Sequence, residues 1–276
     1  MSNPDTDKIF SGSIPALYQT HLVPLIFEPY AVDLANRLAA RPLLTRVLEV
    51  AAGTGVVTRA LASVLPERVA IVATDLNQSM LDHASSLGTG RRVDWRQADG
   101  LQLPFPDGSF DAVVCQFAVM FLPDKSRAFS ETRRVLRPGG VFMFNVWDRI
   151  EENEFADTVT TALESMFPGD PPRFLARIPH GYHDRSAIER DLAAGGFIAS
   201  AKIDTVAARS RAQSFRVPAI AYCQGTPLRS EIEARDSSRL GEATDVAAEA
   251  IAERFGRESV DGKMQAHIVT IEADTD

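Results

Sequence analysis

The sequence predicts an α/β protein built on a doubly wound, largely parallel sheet. Three observations point there. Short apolar runs alternate with helix-like patterns between residues 45 and 148, the rhythm of parallel strands joined by crossovers. The runs are nearly all apolar rather than alternating, as in strands covered on both faces. A small-residue turn, Ala51-Ala52-Gly53-Thr54-Gly55, follows the first run; open sheets of this kind bind ligands beyond the carboxyl ends of their strands.

The elements follow in order. Residues 1–42 have apolar residues at helical spacing, with Pro24 and Pro29 breaking the pattern into pieces. "TRVLEVA" (45–51) is the first strand and "VVTRALASVL" the helix after it. "RVAIVATD" (68–75) is the second strand, followed by the helix "NQSMLDHASSL", which Asn77 or Ser79 could cap. "RVDWRQAD" (92–99) reads as the third strand, and "FDAVVCQFAVM" (110–120) begins as the fourth. A helix over 124–136 is expected to stop at "RPGG" and turn there, before a fifth strand at 141–148. Beyond residue 148 the rhythm loosens. A helix over "EENEFADTVTTALESMF", the Pro-rich "PGDPPRFLARIPHGYHD", a helix ending at Gly195 and Gly196, and a sixth strand "FIASAKIDTVAA" come next. Residues 211–262 are mostly helical, and "MQAHIVTIEA" (264–273) is a final strand.

The segments 149–187 and 211–262 are longer than ordinary connections, and long connections over a ligand edge often serve as lids or specificity elements. The expected organisation is a helical cap over 1–44 and a main domain over 45–276 whose two insertions form a substrate lid.

Composition sets bounds on function. The chain has 276 residues, 45% hydrophobic content and a formal charge of -8. An acidic surface argues against a nucleic-acid or anionic-membrane partner. Arg133, Arg134 and Arg137 read as a solvated helix face near its C-terminus. Cys115 and Cys223 form no CxxC pair, so neither zinc nor a disulfide framework is expected. The N-terminus lacks a signal pattern, and no run approaches the length of a membrane span. The expectation is a cytoplasmic enzyme acting on a small molecule, with a homodimer left open.

The strand ends carry the chemistry. Strand one contributes Glu49 and the Gly53-Thr54-Gly55 turn, strand two Asp75 and Leu76, strand three Asp99 and Gly100, strand four Gln116 and Phe117. Gly53 and Gly55 lack a Cβ, which permits a sharp turn and a close approach to a ligand. Asp75 lies 20 residues beyond Gly55, a spacing at which an acid can accept from both hydroxyls of a ribose. Asp99 could accept from an exocyclic amine, and Leu76 and Leu101 could sandwich a flat ring. Each residue also has a bland reading: a tight packing turn, a helix cap, a turn cap. Their joint spacing favours a nucleoside site. A dinucleotide fingerprint wants Gly or Ala where Thr58 stands, and a carboxylate at the strand tip suits a ligand with a cationic head better than a pyrophosphate.

Four stretches, "VLEVAAGTG" (47–55), "ATDLNQSML" (73–81), "QADGLQLPFPDGSFDAVVCQFAVMFLPD" (97–124) and "RVLRPGGVFMFNVW" (134–147), resemble the class I S-adenosylmethionine-dependent methyltransferases, of the type that includes quinone and small-molecule methylases. The resemblance implies a Rossmann-like seven-stranded sheet with an antiparallel final strand. It implies S-adenosylmethionine as cofactor, with Glu49, Ala51, Gly53 and Gly55 along its methionine end, Asp75 on the ribose, Asp99 on the adenine amine, and Gln116 and Phe117 near the transfer site. Two departures stand out. Ala51 occupies the place of the motif's usual first glycine, and "AVMFL" replaces a histidine pair carried by many relatives.

Methyl transfer needs alignment more than a nucleophile from the protein, although an oxygen or carbon acceptor can need a base. His180, His183, Tyr18 and His21 are the candidates; His267 reads as packed. His180 and His183 lack a third ligand at metal spacing. "AYCQGTPLR" (221–229), Arg173 and Phe174 either line an acceptor cavity or simply shape loops. Two other functions compete: a nicotinamide-dependent oxidoreductase, and a non-catalytic binder of S-adenosylmethionine.

Overall fold

The computed structural model describes residues 17–275. Seven strands form one sheet in the order β3-β2-β1-β4-β5-β7-β6. They are β1 Arg46–Val50, β2 Ala70–Asp75, β3 Asp94–Gln97, β4 Phe110–Gln116, β5 Leu136–Trp147, β6 Lys202–Ala212 and β7 Val260–Glu272. The β1–β2, β1–β4, β2–β3 and β4–β5 pairings are parallel. β7 runs antiparallel to β5: the Asp148 amide donates to the Gln265 carbonyl at one end, and the Gly139 amide to the Ala273 carbonyl at the other.

The apolar runs explain the sheet. Val47, Leu48, Ala112, Val113 and Val114 are fully buried, as central strands covered on both faces must be. The connecting helices bury one stripe each: Val57, Thr58 and Leu61 from Val56–Val64, Met80, Leu81 and Ala84 from Gln78–Leu87, and Ala128, Phe129, Thr132 and Val135 from Lys125–Val135. These are three- and four-residue spacings, which share a helix face. β2 and β3 lie on one side of β1, and β4 and β5 on the other. The loops after β1 and β4 therefore leave in opposite directions, and a crevice opens at the strand tips between them.

The chain divides into two compact units. One takes residues 28–146, 182–205 and 267–275 and contains the sheet's β1–β4; here Phe197 stacks on Phe142 at 6.2 Å and Tyr182 donates to the Asp191 carboxylate. The other takes described residues 17–27, 147–181 and 206–266. In it the helix Leu240–Phe255 packs on Glu154–Met166 and on Arg216–Gly225. A row of rings runs from Tyr18 to Phe27 (5.1 Å), Trp147 (6.2 Å) and His180 (5.9 Å).

Several sequence expectations need correction. "RPGG" is not a turn: the helix ends at Val135 and Leu136 already begins β5. A distant partner decides this, because Gly139 and Gly140 exchange backbone hydrogen bonds with Ala273. Asn77 does sit at the N-cap of its helix, but its side chain makes no cap bond; its backbone amide is held by Asp75 instead. β3 is reduced to four residues. β6 starts at Lys202 rather than Phe197, whose side chain is buried against Phe142. Pro24 lies inside a π-helix, Tyr18–Phe27, and Pro29 in the first turn of the helix Glu28–Ala39, where a missing N–H is tolerated. The part of the expected N-terminal cap before residue 17 lies outside the described residues.

Candidate functional site

The site grows from the tip of β1. Parallel pairing with β2 on one side and β4 on the other sets Glu49 beside Ala73 and Val114. Ala51 then takes φ +57°, Gly53 φ +55° and Gly55 φ +79°. A turn with three left-handed residues reverses the chain within a few residues into the helix Val56–Val64. Backbone bonds fasten it: the Ala52 amide donates to the Thr74 carbonyl and the Gly55 amide to the Ala52 carbonyl, both at 2.8 Å. A Cβ built on Gly53 meets nothing within 4 Å, so this face of the turn opens onto free space; one built on Gly55 would press on Trp95 and Ala84 at 3.0 and 3.1 Å. Gly53 therefore leaves room for a ligand, while Gly55 is required by packing.

Asp75 ends β2 and is 7% exposed. One carboxylate oxygen accepts from the Gly53 amide and the other from the Asn77 amide, both at 2.8 Å. Burial raises its pKa; the Asn77 and Gly53 amides, and after them the Asn77 side chain and the Leu76 amide, oppose the rise. The next residue, Leu76, is 52% exposed, an apolar side chain set in solvent at the strand tip. The Ala98 amide donates to the Asp75 carbonyl and brings the β3 exit alongside. Asp99 is exposed there, its carboxylate accepting from the Leu101 amide at 2.9 Å. Gly100 packs close to Val50, where a Cβ would come within 3.3 Å of its side chain.

Glu49 is 2% exposed. The Thr58 hydroxyl donates to its carboxylate, and the Thr74 hydroxyl to its carbonyl at 2.9 Å. Burial pushes its pKa up to about 8; Thr58 and the Arg59 guanidinium pull it down, and Asp75 adds to the rise. Arg59 donates to the Thr54 carbonyl at 2.7 Å, and its own pKa is lowered by burial. The buried Thr54 hydroxyl has no hydrogen-bond partner among the described residues.

At the tip of β4, Phe117 takes φ +49°, a conformation that disfavours a bulky side chain. Asn145 of β5 explains how it is held. The Phe117 amide donates to both the Asn145 carbonyl (3.1 Å) and the Asn145 side-chain oxygen (3.0 Å), and the Asn145 amide group reaches the Gln116 side chain at 3.4 Å. Asn145 is completely buried. Sequence reasoning overlooked it, although a lone Asn inside "VFMFNVW" was the available signal: burial of an amide demands partners. The Phe117 ring meets Tyr30 edge-on at 5.3 Å.

The structure thus gathers Glu49, Ala51, Gly53, Gly55, Asp75, Leu76, Asp99, Gly100, Gln116 and Phe117 along one edge of one unit. Several other candidates make structural contacts. The His180 ring nitrogen Nδ1 lies 2.8 Å from the Asp148 carbonyl, and His267 packs against the Thr205 hydroxyl at 3.0 Å. The backbone amides of Arg173 and Phe174 are pinned by the Glu231 carboxylate. Cys223 is fully buried, and Tyr18 stacks on Phe27. Among the described residues no helix is long and apolar enough to cross a membrane.

Comparison with known proteins agrees with this geometry. A family model described as a methyltransferase domain matches residues 48–144. A ubiquinone/menaquinone biosynthesis C-methyltransferase UbiE of Ectopseudomonas mendocina is 31% identical over 165 residues, 55% of this chain and 64% of that protein. The protein of the same name from Pseudomonas savastanoi is 39% identical over 119 residues, 42% of this chain and 45% of its own length. The chain thus spans about half to just under two thirds of the length of these relatives. Among solved structures, a putative methyltransferase from Bacillus halodurans has a TM-score of 0.57 at 20% identity, covering 88% of this chain and 99% of that one. Haemonchus contortus phosphoethanolamine N-methyltransferase 2 in complex with S-adenosyl-L-methionine scores 0.58 at 16% identity, covering 99% and 60%. These two share the fold.

Proposed function

Residues 48–144 match a family model described as a methyltransferase domain, and from that premise we propose that the chain is a class I S-adenosylmethionine-dependent methyltransferase that transfers a methyl group to a carbon or oxygen atom of a small-molecule acceptor by in-line displacement. The observation that carries the reading is the open turn at Gly53, held by the buried Asp75 carboxylate at the tip of β2. The residues present fit the cofactor. Asp75 would take the ribose hydroxyls, Asp99 the adenine amine, and the exposed Leu76 one face of the base. The turn from Ala51 to Gly55 would follow the methionine end, in the field of Glu49. Gln116 and Phe117 would border the transfer end.

S-adenosylmethionine supplies a methyl group already activated by its sulfonium. The chain's task is to align the acceptor atom behind that methyl carbon and exclude water, which can contribute most of the rate enhancement without a covalent intermediate. The insertions 149–187 and 211–262 are proposed as the acceptor-specificity element. Most of their residues fall in the second compact unit, separate from the one that carries the cofactor residues. The names of the curated relatives favour a quinol ring carbon as acceptor.

The test has two arms. Calorimetric titration with S-adenosylhomocysteine and with NAD should show binding of the first and not the second. Incubation with S-adenosylmethionine and a hydroquinone, a catechol or a primary amine should then give a product one methyl heavier from the hydroquinone or catechol. Binding of NAD alone, or cofactor binding with no transfer to any acceptor, overturns the proposal.

A further inference from the structure

The side chain of Gln116 has a defined polarity, and Asn145 sets it. The Phe117 backbone amide can only donate, and it lies 3.0 Å from one end of the Asn145 side chain. That end is therefore the oxygen, Oδ1, and the other end is the amide nitrogen, Nδ2. Nδ2 lies 3.4 Å from the Gln116 side chain. A donor there must face an acceptor, so the Gln116 carbonyl oxygen is turned toward β5. Gln116 and Asn145 are register partners across β4 and β5, which brings the two amides side by side. Asn145 is completely buried; turning its amide over would set two donors against each other at Phe117 and leave them unsatisfied. Donors and acceptors thus run in one direction, from the Phe117 N–H through Asn145 to Gln116, whatever else Gln116 touches. Gln116, half-buried at the end of β4, closes the series with its amino group. The same clamp holds Phe117 at φ +49°, and backbone strain of this kind collects where a function requires it.

Resting on the methyltransferase reading above, we propose that Gln116 presents this amino group to the methyl acceptor, that Asn145 is the positioning residue that fixes it so, and that the site thereby selects acceptors with a phenolic oxygen over protonated amines. An N–H donor matches the lone pairs of a phenol or phenolate. It repels an ammonium, whose own N–H groups need acceptors. A hydrogen bond to the anionic oxygen also favours the phenolate, the form in which that oxygen and the ring carbons beside it are the better nucleophiles. One of those atoms forms the new bond to the methyl carbon, the electron pair of the broken S–C bond stays on sulfur, and the phenolic proton goes to solvent. Gln116 neither gives up nor takes a proton.

The experiment measures kcat/KM for methyl transfer to a catechol and to a primary amine, and the Kd of the catechol in the presence of S-adenosylhomocysteine, for the full chain and two variants. The wild type should favour the catechol. Gln116→Glu keeps the shape and replaces the N–H donors by a carboxylate. It should weaken catechol binding about tenfold or more and lower the catechol-to-amine ratio of kcat/KM by at least as much, with S-adenosylhomocysteine still bound. Asn145→Leu removes Nδ2 and lets the Gln116 amide turn, and should lower the same ratio about fivefold or more. General damage to the fold lowers both rates together and leaves their ratio alone. A wild type that favours the amine, or Gln116→Glu with the wild-type ratio and catechol Kd, overturns the proposal. A ratio moved by Gln116→Glu and not by Asn145→Leu overturns the role of Asn145. If Asn145→Leu fails to fold, Gln116→Glu decides alone; if neither acceptor is methylated, the catechol Kd in wild type and Gln116→Glu decides. Failure of S-adenosylhomocysteine to bind is a different result: it removes the cofactor reading and this inference with it.

Discussion

Ala51 offers a test in which removing a methyl group should strengthen the protein. Its φ of +57° lies in the left-handed region, where an L-residue with a Cβ is disfavoured by about 1–2 kcal/mol. The turn enforces this conformation, because the flanking Ala52 amide must reach the Thr74 carbonyl. Ala51→Gly removes the steric penalty. It also loosens the unfolded chain, an opposing effect of about 0.5–1 kcal/mol. The difference is a net gain of about 0.5–1 kcal/mol, or about 1–4 °C in Tm for a chain of this size. Urea denaturation followed by circular dichroism, together with a thermal scan, measures it. S-adenosylhomocysteine affinity should stay within about threefold, since the glycine keeps the same backbone path. Most substitutions destabilise, so a gain is a discriminating result. A variant less stable than wild type would refute the strain argument and show that the Ala51 methyl packs against something that matters more.

Other perturbations separate the roles along the same edge. Asp75→Ala should weaken S-adenosylhomocysteine binding by about 1–3 kcal/mol, and should also lower stability, because it leaves the Gly53 and Asn77 amides without their acceptor; titration and urea unfolding on one preparation read both effects. Gly53→Val should abolish binding and keep a cooperative fold: the side chain enters open space yet must adopt φ +55°, at a stability loss of about 1–2 kcal/mol. Glu49 has a folded-state pKa of about 8 against an ordinary 4.5. Its stabilising contribution is therefore complete below about pH 4.5 and is lost as pH rises through 8. Glu49→Gln should remove that part of the slope, on the order of 5 kcal/mol at most, in unfolding curves taken across the interval. Asn145→Leu should lower stability by about 1 kcal/mol for the lost side-chain bond to the Phe117 amide, and should weaken S-adenosylhomocysteine binding severalfold by releasing Gln116 and Phe117.

The sequence by itself determined the alternation of strands and helices, because apolar runs and helical spacing are local patterns that reflect what each segment buries. It also determined the chemistry at the strand tips, since an acid or a glycine at the end of an apolar run is visible in one dimension. Glu49, Gly53, Asp75 and Asp99 could be singled out in this way. Only the tertiary structure decided what those residues touch. The left-handed bend at Ala51 arises from a bond between the turn and β2, and that at Phe117 from a clamp supplied by Asn145, 28 residues away. "RPGG" became strand rather than turn because Ala273, over a hundred residues further along the chain, pairs with it. Short-range propensity cannot anticipate such contacts: the free energy that holds each of these backbones comes from a partner placed by the fold, and it outweighs the local preference of the residue that must comply.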